Sequence, residues 1–352
     1  MRGVEKILRR MTVQIYITDN CDQRCRHCYI FGADSNRKPN TMTLESFKEA
    51  VNLCVEYSKR SDIKIYWGIT GGDPILHPQF WEIVNHMRSN GLKFVMIGNP
   101  FHMTENIFRR LKDYGCTQFQ MSLDGLRENH DKNRKAGSFD ATLSRFPMIH
   151  NAGLESGVRV TVSHENISDI PGLIDLCAEY RVGDFAFTRY APNGGGKNNI
   201  APSEYRKLLD TCYKKFEAYR AEGCWTKFYE ADHLYTLYKY EEGIIKLPEN
   251  FNCVNRKTIG GCSCGQDLKK LRILWDGTVM ACRRTEDSVL GNIFTESIEE
   301  LQKSKSCYGD INLYEGCRLC RLASWCRGCP AVAYGQYGSF FARDPQCWNI
   351  IK

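Results

Sequence analysis

From about Val13 to Phe187 the chain alternates between short apolar runs and segments with helical spacing, and few architectures accept that alternation. Strands are predicted over Val13–Ile17, Ile63–Ile69, Lys93–Ile97, Gln118–Leu123, Val158–Val162 and Asp184–Phe187. Helices are predicted between them over Thr43–Tyr57, Pro78–Ser89, Asn106–Tyr114, Ala141–Asn151 and Leu173–Tyr180. The first of these has Thr43 placed to cap it and Phe47, Val51 and Cys54 or Val55 on one face. Strands joined by single helices pair in parallel through right-handed crossovers. The expected fold class is therefore α/β, a partial (β/α)6 TIM-like barrel. Such a barrel carries its chemistry on the loops after the strands' C-terminal ends.

The Pro/Gly-rich stretch Pro192–Gly196 ends the repeat. An amphipathic helix follows over Glu204–Ala221, and then an aromatic segment, Trp225–Tyr240, whose spacing reads as core. From Cys253 onward the composition changes: ten of the chain's 18 cysteines lie there, among glycines and short turns. Three regions are expected: a barrel over 1–195, a helical bridge over 196–260, and a cysteine-rich C-terminal domain over 261–352. A chain of 352 residues can bury enough core to hold this without disulfide staples.

The net charge of +7 is mild for the length, and basic runs such as Lys6–Arg10 and Lys132–Lys135 are short and scattered. They read as solvated surface and give no reason to expect a nucleic-acid partner, though an acidic peptide could exploit them. No apolar run reaches the length of a signal peptide or a membrane span, so a cytoplasmic location without a membrane partner is expected. In a reducing compartment disulfides do not persist, and clustered cysteines read as metal thiolates.

Directly after the first strand comes Asn20-Cys21-Asp22-Gln23-Arg24-Cys25-Arg26-His27-Cys28-Tyr29, with cysteines spaced C-x3-C-x2-C. Three thiolates on one loop can hold three irons of a 4Fe–4S cube, whereas an electron-transfer cluster is ligated four times. The next cysteine, Cys54, falls inside a predicted helix and reads as core, which leaves the fourth iron open to a small molecule. Zinc and plain electron transfer are the alternatives. Structural zinc sites usually pair two C-x2-C units, and His27, between Cys25 and Cys28, is poorly placed to join them on one tetrahedral ion.

This loop, with an aromatic residue beside its last cysteine, resembles that of the radical S-adenosylmethionine superfamily, and further motifs follow in the family's order. Gly71-Gly72-Asp73-Pro74 is similar to the GGEP motif, with Asp for Glu. Ser122-Leu123-Asp124-Gly125 ends the fourth strand, and His130-Asp131-Lys132-Asn133-Arg134 follows. The resemblance implies that the GGDP backbone meets the methionine amino group and that Ser122 and Asp124 sit by the ribose. It also implies that Arg134 pairs with the methionine carboxylate, which an arginine fork suits. His27, Tyr29 and Asn99 join Gly71, Gly72 and Asp73 in the implied cofactor-binding set. The implied chemistry is reductive cleavage of S-adenosylmethionine to a 5′-deoxyadenosyl radical that abstracts hydrogen from a substrate. In such chemistry the protein positions and excludes, and the cofactor does the rest.

The C-terminal cysteines resemble those of a SPASM domain. Cys262 and Cys264 precede Gly277, Gly277 precedes Cys282, and Cys317, Cys320, Cys326 and Cys329 form a block before a final Cys347. The block ends in a two-residue spacing where the family has three. The resemblance implies two auxiliary clusters, giving three 4Fe–4S clusters in all. One is held by Cys317, Cys320, Cys326 and Cys347. The other is held by Cys282 and Cys329 with Cys262, Cys264 or both, Cys253 being a weaker candidate. Two zinc sites are the alternative. Cys116, Cys177, Cys212, Cys224 and Cys307 read as thiols without a ligand role.

Radical enzymes with this appendage mostly modify peptides or proteins. Maturation of a ribosomal peptide by crosslinking, thioether formation or epimerisation is therefore the leading expectation. Its partners are a peptide or protein substrate and a reductant such as flavodoxin or ferredoxin. Only about ten residues precede the first strand, so either a separate leader-binding protein or direct recognition by the barrel mouth is expected. Modification of a non-peptide such as a tetrapyrrole is one alternative. Sulfatase-type formylglycine generation is another, but that family has an aspartate where Arg283 follows Cys282. A non-catalytic iron–sulfur carrier is the last, and it has no need of Ser122, Asp124 and Arg134. No catalytic acid or base is assigned.

Overall fold

The computed structural model describes residues 9–31, 38–192, 199–247 and 270–349. In chain order the first half runs β1 (Arg9–Tyr16), α1 (Leu44–Ser61), β2 (Ile63–Thr70), α2 (Phe80–Ser89), β3 (Phe94–Ile97), α3 (Glu105–Asp113) and β4 (Cys116–Ser122). It continues with α4 (Arg127–Asn133), α5 (Ser138–Asn151), β5 (Glu155–Val162), α6 (Ile170–Glu179) and β6 (Asp184–Arg189). The second half contains α7 (Pro202–Ala221), β7 (Lys227–Tyr229), α8 (Leu234–Glu241), β8 (Lys270–Ile273), β9 (Thr278–Met280), β10 (Val289–Asn292), α9 (Ile298–Lys305) and α10 (Pro330–Tyr337).

Strands β1 to β7 lie side by side in sequence order, each parallel to the next. Their apolar residues meet the helices that cover them. Met11, Val13 and Ile15 on β1 and Phe47, Val51 and Cys54 on α1 are all buried in one core. Helix α1 starts where expected, with Thr43 Oγ1 accepting from the Ser46 N–H at 3.0 Å. The partial parallel barrel read from the sequence is thus the observed α/β fold.

The sheet is larger than the six-strand expectation. Strand β7 adds a seventh parallel member beside β6, in three residues too few to show a period. Strand β8, from the cysteine-rich region, pairs in parallel with the free side of β1, and β9 and β10 continue antiparallel from it. One ten-stranded sheet therefore spans both parts of the chain. Helix α4 also went unforeseen, because its sequence RENHDKN buries only His130 and has no apolar stripe. The aromatic segment divides: Phe228, Tyr235 and Tyr238 are buried, with Phe228 stacked on Phe216 at 5.0 Å, while Trp225 and Tyr229 are exposed. Among the described residues no helix is long and apolar enough to cross a membrane.

At the end of β6, Arg189 is fully buried and joins three parts of the molecule. Its Nε and Nη2 donate to Asp232 at 2.9 and 3.2 Å. Its Nη1 and Nη2 donate to Asp344 at 2.5 and 2.8 Å, and Nη1 also reaches Gln346 Oε1 at 3.1 Å. Asp344 in turn accepts from the Cys329 N–H at 2.8 Å. Removing the guanidinium strands two buried carboxylates, a loss of about 3–5 kcal/mol. Thermal denaturation of Arg189→Met should show that destabilisation, together with a lower iron content at the C-terminal cysteines.

Candidate active site

The loop after β1 places Cys21, Cys25 and Cys28 at the C-terminal mouth of the sheet. The Cys28 N–H bonds back to the Cys25 carbonyl at 3.0 Å, tightening the turn. Polar hydrogens converge on the sulfurs. The Gln23 N–H lies 3.4 Å and Asn99 Nδ2 3.2 Å from Cys21 Sγ, and Arg134 Nη1 lies 3.7 Å from Cys25 Sγ. Burial pushes the Cys21 thiol up to about 11 and raises Cys25 as well, so a bound metal is needed to hold these groups as thiolates.

The separations among metal-capable side chains can be compared with what a single ion would draw together. A zinc ion with bonds of about 2.3 Å draws its tetrahedral sulfurs to roughly 3.8 Å apart. Among the described residues, the only three metal-capable side chains with ligand atoms all within 4.8 Å of one another are Asp22, Asp73 and His102. Neither cysteine group is drawn in that far.

The GGDP loop packs under the cysteine loop. The Gly72 N–H donates to the Thr18 carbonyl and the Asp73 N–H to the Asn20 carbonyl, both at 2.7 Å. A Cβ on Gly71 would lie 2.2 Å from the Thr18 oxygen, and one on Gly72 would lie 2.4 Å from the Asn20 oxygen, so only glycine permits this approach. Both glycines line the cavity beside the three cysteines. The Asp73 carboxyl does not. It is buried on the far side, with Oδ1 accepting from the Asn99 N–H at 3.4 Å and Oδ2 without a hydrogen-bond partner, and burial pushes it up to about 7.

Asp124 does not line the cavity either. The resemblance put it at the ribose, but it is fully buried behind the cavity wall and engaged with the protein. Its Oδ2 accepts from Arg134 Nε at 2.5 Å and lies 3.4 Å from His27 Nε2, while Oδ1 accepts from the Thr161 N–H at 2.7 Å. Burial alone would raise this carboxyl; Arg134 and His27 outweigh it and hold it below the usual range. Asp124 thus fixes Arg134, which does line the cavity, as do Ser122, Asn99 and His27. His27 Nδ1 meets Asn133 Nδ2 at 2.6 Å, and burial lowers its pKa, so the ring is set between two partners.

The Tyr29 ring lines the cavity while its hydroxyl bonds to Tyr16. Among the lining residues that sequence reasoning missed are Thr161, Tyr190 and Arg284. The first two sit at or just past the ends of β5 and β6, where a barrel puts its site. Arg284 is brought in from beyond β9 and had no local signal.

In the C-terminal region Cys317, Cys320, Cys326 and Cys347 line one small cavity, the set inferred from the family's pattern. Burial pushes the Cys317 thiol up to about 12 and Cys326 well above its ordinary value. Cys282 and Cys329 are buried together in a separate apolar cluster with Ala191. Cys253, Cys262 and Cys264 lie outside the described residues. Arg284 Nη2 reaches Cys329 Sγ at 3.1 Å, so one arginine touches both the main cavity and this cysteine pair. Cys54, Cys116, Cys177 and Cys212 are buried away from either group, Cys224 is half-buried and Cys307 exposed.

A parallel β/α sheet with three thiolates at its mouth, a glycine cradle beneath them and a fixed arginine opposite defines a domain that binds a site-open iron–sulfur cluster and S-adenosylmethionine. Family models agree: "Radical SAM superfamily" matches residues 15–177 and SPASM, "Iron-sulfur cluster-binding domain", matches 262–330. The chain belongs to the radical SAM superfamily and carries a SPASM domain, and its cofactors are 4Fe–4S clusters and S-adenosylmethionine. It is 25% identical over 359 residues to Fe-coproporphyrin III synthase of Methanosarcina barkeri, covering 94% of this chain and 86% of that protein. It is 26% identical over 201 residues to the mycofactocin maturase MftC of Mycolicibacterium smegmatis, covering 55% of this chain and 49% of MftC. The fold is shared with Streptococcus suis SuiB bound to its precursor peptide SuiA, at a TM-score of 0.70 and 17% identity over 97% of this chain and 76% of SuiB.

Two outcomes test this geometry. Gly72→Ala should weaken S-adenosylmethionine binding about tenfold or more, measured by equilibrium dialysis, because the Asn20 carbonyl must move. His130 is buried, with Nδ1 accepting from the Asp124 N–H at 3.0 Å. Burial and Arg134 lower its pKa to about 4. The unfolded chain then takes the proton more readily, so this stability is full above about 6.5 and is lost as pH falls toward 4, roughly 3 kcal/mol in all. Urea unfolding of His130→Gln should show a smaller drop than the parent between pH 7 and pH 5.

Proposed function

We propose that this chain is a radical enzyme that abstracts hydrogen from a peptide substrate, acting as a maturase of ribosomal peptides. Its bound cofactors would supply a 5′-deoxyadenosyl radical. The chain's residues do the placing. Cys21, Cys25 and Cys28 hold a cluster with an open iron. Gly71 and Gly72 bring backbone against the cofactor's methionine end, and Arg134, fixed by Asp124, meets a carboxylate. Ser122 and Asn99 face the same cavity, while Ile30, Phe31 and Tyr29 keep one wall apolar.

One observation carries the peptide reading. The cavity continues past His27, Thr161 and Tyr190 into a second cleft lined by Arg26, Asn133, Ser163, His164, Glu165 and Asn199. Such a wall offers donors and acceptors to an extended backbone and little flat apolar surface to a macrocycle. A specific finding favours a second reading, tetrapyrrole modification: the haem-related synthase is matched nearly end to end, the peptide maturase over about half its length. A reductant such as flavodoxin or ferredoxin, and a separate leader-binding protein, belong to the peptide reading.

The test is 5′-deoxyadenosine formation by anaerobically reconstituted, dithionite-reduced protein, with Cys25→Ala as control. The parent should form it and the variant should not. Iron-coproporphyrin III and short synthetic peptides are then added separately. Stimulation by peptide, with a mass change in it, supports maturation. Stimulation by the porphyrin alone moves the assignment to tetrapyrroles.

A further inference from the structure

Two arginines near the clusters have evident partners. Arg134 is paired with Asp124, and Arg284 Nη1 donates to the Arg189 carbonyl at 2.9 Å. Arg283 is different. It is only 8% exposed, and its Nε is buried without a hydrogen-bond partner. Among the described residues no carboxylate forms an ion pair with it. Its guanidinium instead lies 4.9 Å over the Tyr29 ring and 5.5 Å over the Tyr16 ring. A cation–π seat offsets part of the desolvation of a buried guanidinium and leaves its charge without an anion.

The chain supplies anions on both sides. Tyr29 follows Cys28, and Arg283 follows Cys282. The stack therefore fastens a ligand loop of the radical-site cluster to a ligand loop of the first auxiliary cluster. Cluster thiolates are the negative charge this site lacks. Cluster potentials respond to net charge and hydrogen bonding around the sulfurs, and a fixed cation favours the more negative, reduced state.

We propose that Arg283 is a positioning residue shared by two clusters: it supplies one fixed positive charge between the Cys28 and Cys282 loops and raises both reduction potentials. This rests on reading Cys21, Cys25 and Cys28 as the radical-site ligands and Cys282 as an auxiliary-cluster ligand. The cluster bound by Cys317, Cys320, Cys326 and Cys347 lies in a separate cavity and serves as internal reference.

The experiment is an EPR-monitored redox titration of the iron-loaded full chain, comparing the parent with Arg283→Lys, Arg283→Met and Arg283→Gln. Each is titrated with and without S-adenosylmethionine. Only an open iron can take that molecule, and the perturbed signal that is also missing from Cys25→Ala belongs to the radical-site cluster. In the two neutral variants two midpoints should move to more negative potential while the third stays, and the lysine variant should stay near the parent. Unchanged midpoints at full iron content would overturn the proposal, as would a lysine variant shifted as far as methionine. Loss of iron from the neutral variants would also overturn it, assigning Arg283 to holding the loops. If S-adenosylmethionine perturbs no signal in the parent, the three-cysteine reading fails instead, and the first auxiliary midpoint still tests Arg283.

Discussion

The molecule depends on how Arg189 resolves its burial. A guanidinium with no solvent contact is tolerable only when its donors are matched, and here Asp232, Asp344 and Gln346 match them. Arg189 and its partners come from three places in the chain. Arg189 ends β6, Asp232 precedes α8, and Asp344 lies three residues before Cys347. Gly328 faces Asp344 so closely that a Cβ would lie 2.4 Å from its side chain. One ion-pair knot thus registers the barrel mouth against the cysteine-rich region, which sets the distance between cysteine groups that no local sequence could set.

The same logic of paired charge runs through the site. Burial raises the Cys21 and Cys25 thiols, and arginines sit beside Cys25 and Cys329. Arg134 is itself oriented from behind by Asp124, which His27 and the backbone at Thr161 also share. A carboxylate expected beside a ligand holds Arg134, which lines the cavity. This division between groups that line the cavity and groups that aim them is a recurrent way to fix a site on a rigid scaffold.

Much of this was legible in the sequence because it is local. C-x3-C-x2-C, GGDP and the alternation of strands and helices are each set by neighbours a few residues apart, and each lies where it was placed. The crossed set of Cys317, Cys320, Cys326 and Cys347 was accessible only through the family's pattern, since spacing alone does not say which thiols meet. What escaped was non-local or too short. Strand β7 is three residues, α4 has no apolar stripe, and β8 is defined by its partner rather than its period. Arg284 reaches the cavity only because the sheet carries β9 there. The place of Asp124 turned on the direction of one side chain, which no motif records.

The pairing of β1 with β8 has a consequence for how the protein comes into being. Thr12 pairs in register with Lys270, so one side of the first strand stays open while nearly all of the intervening chain is synthesised. An uncovered strand edge is a template for wrong partners. The cysteine loop hangs from the end of that same strand. A cell that makes this chain must therefore guard a bare edge and an empty thiol loop together, which makes late metallation, after β8 has docked, the safer order of assembly.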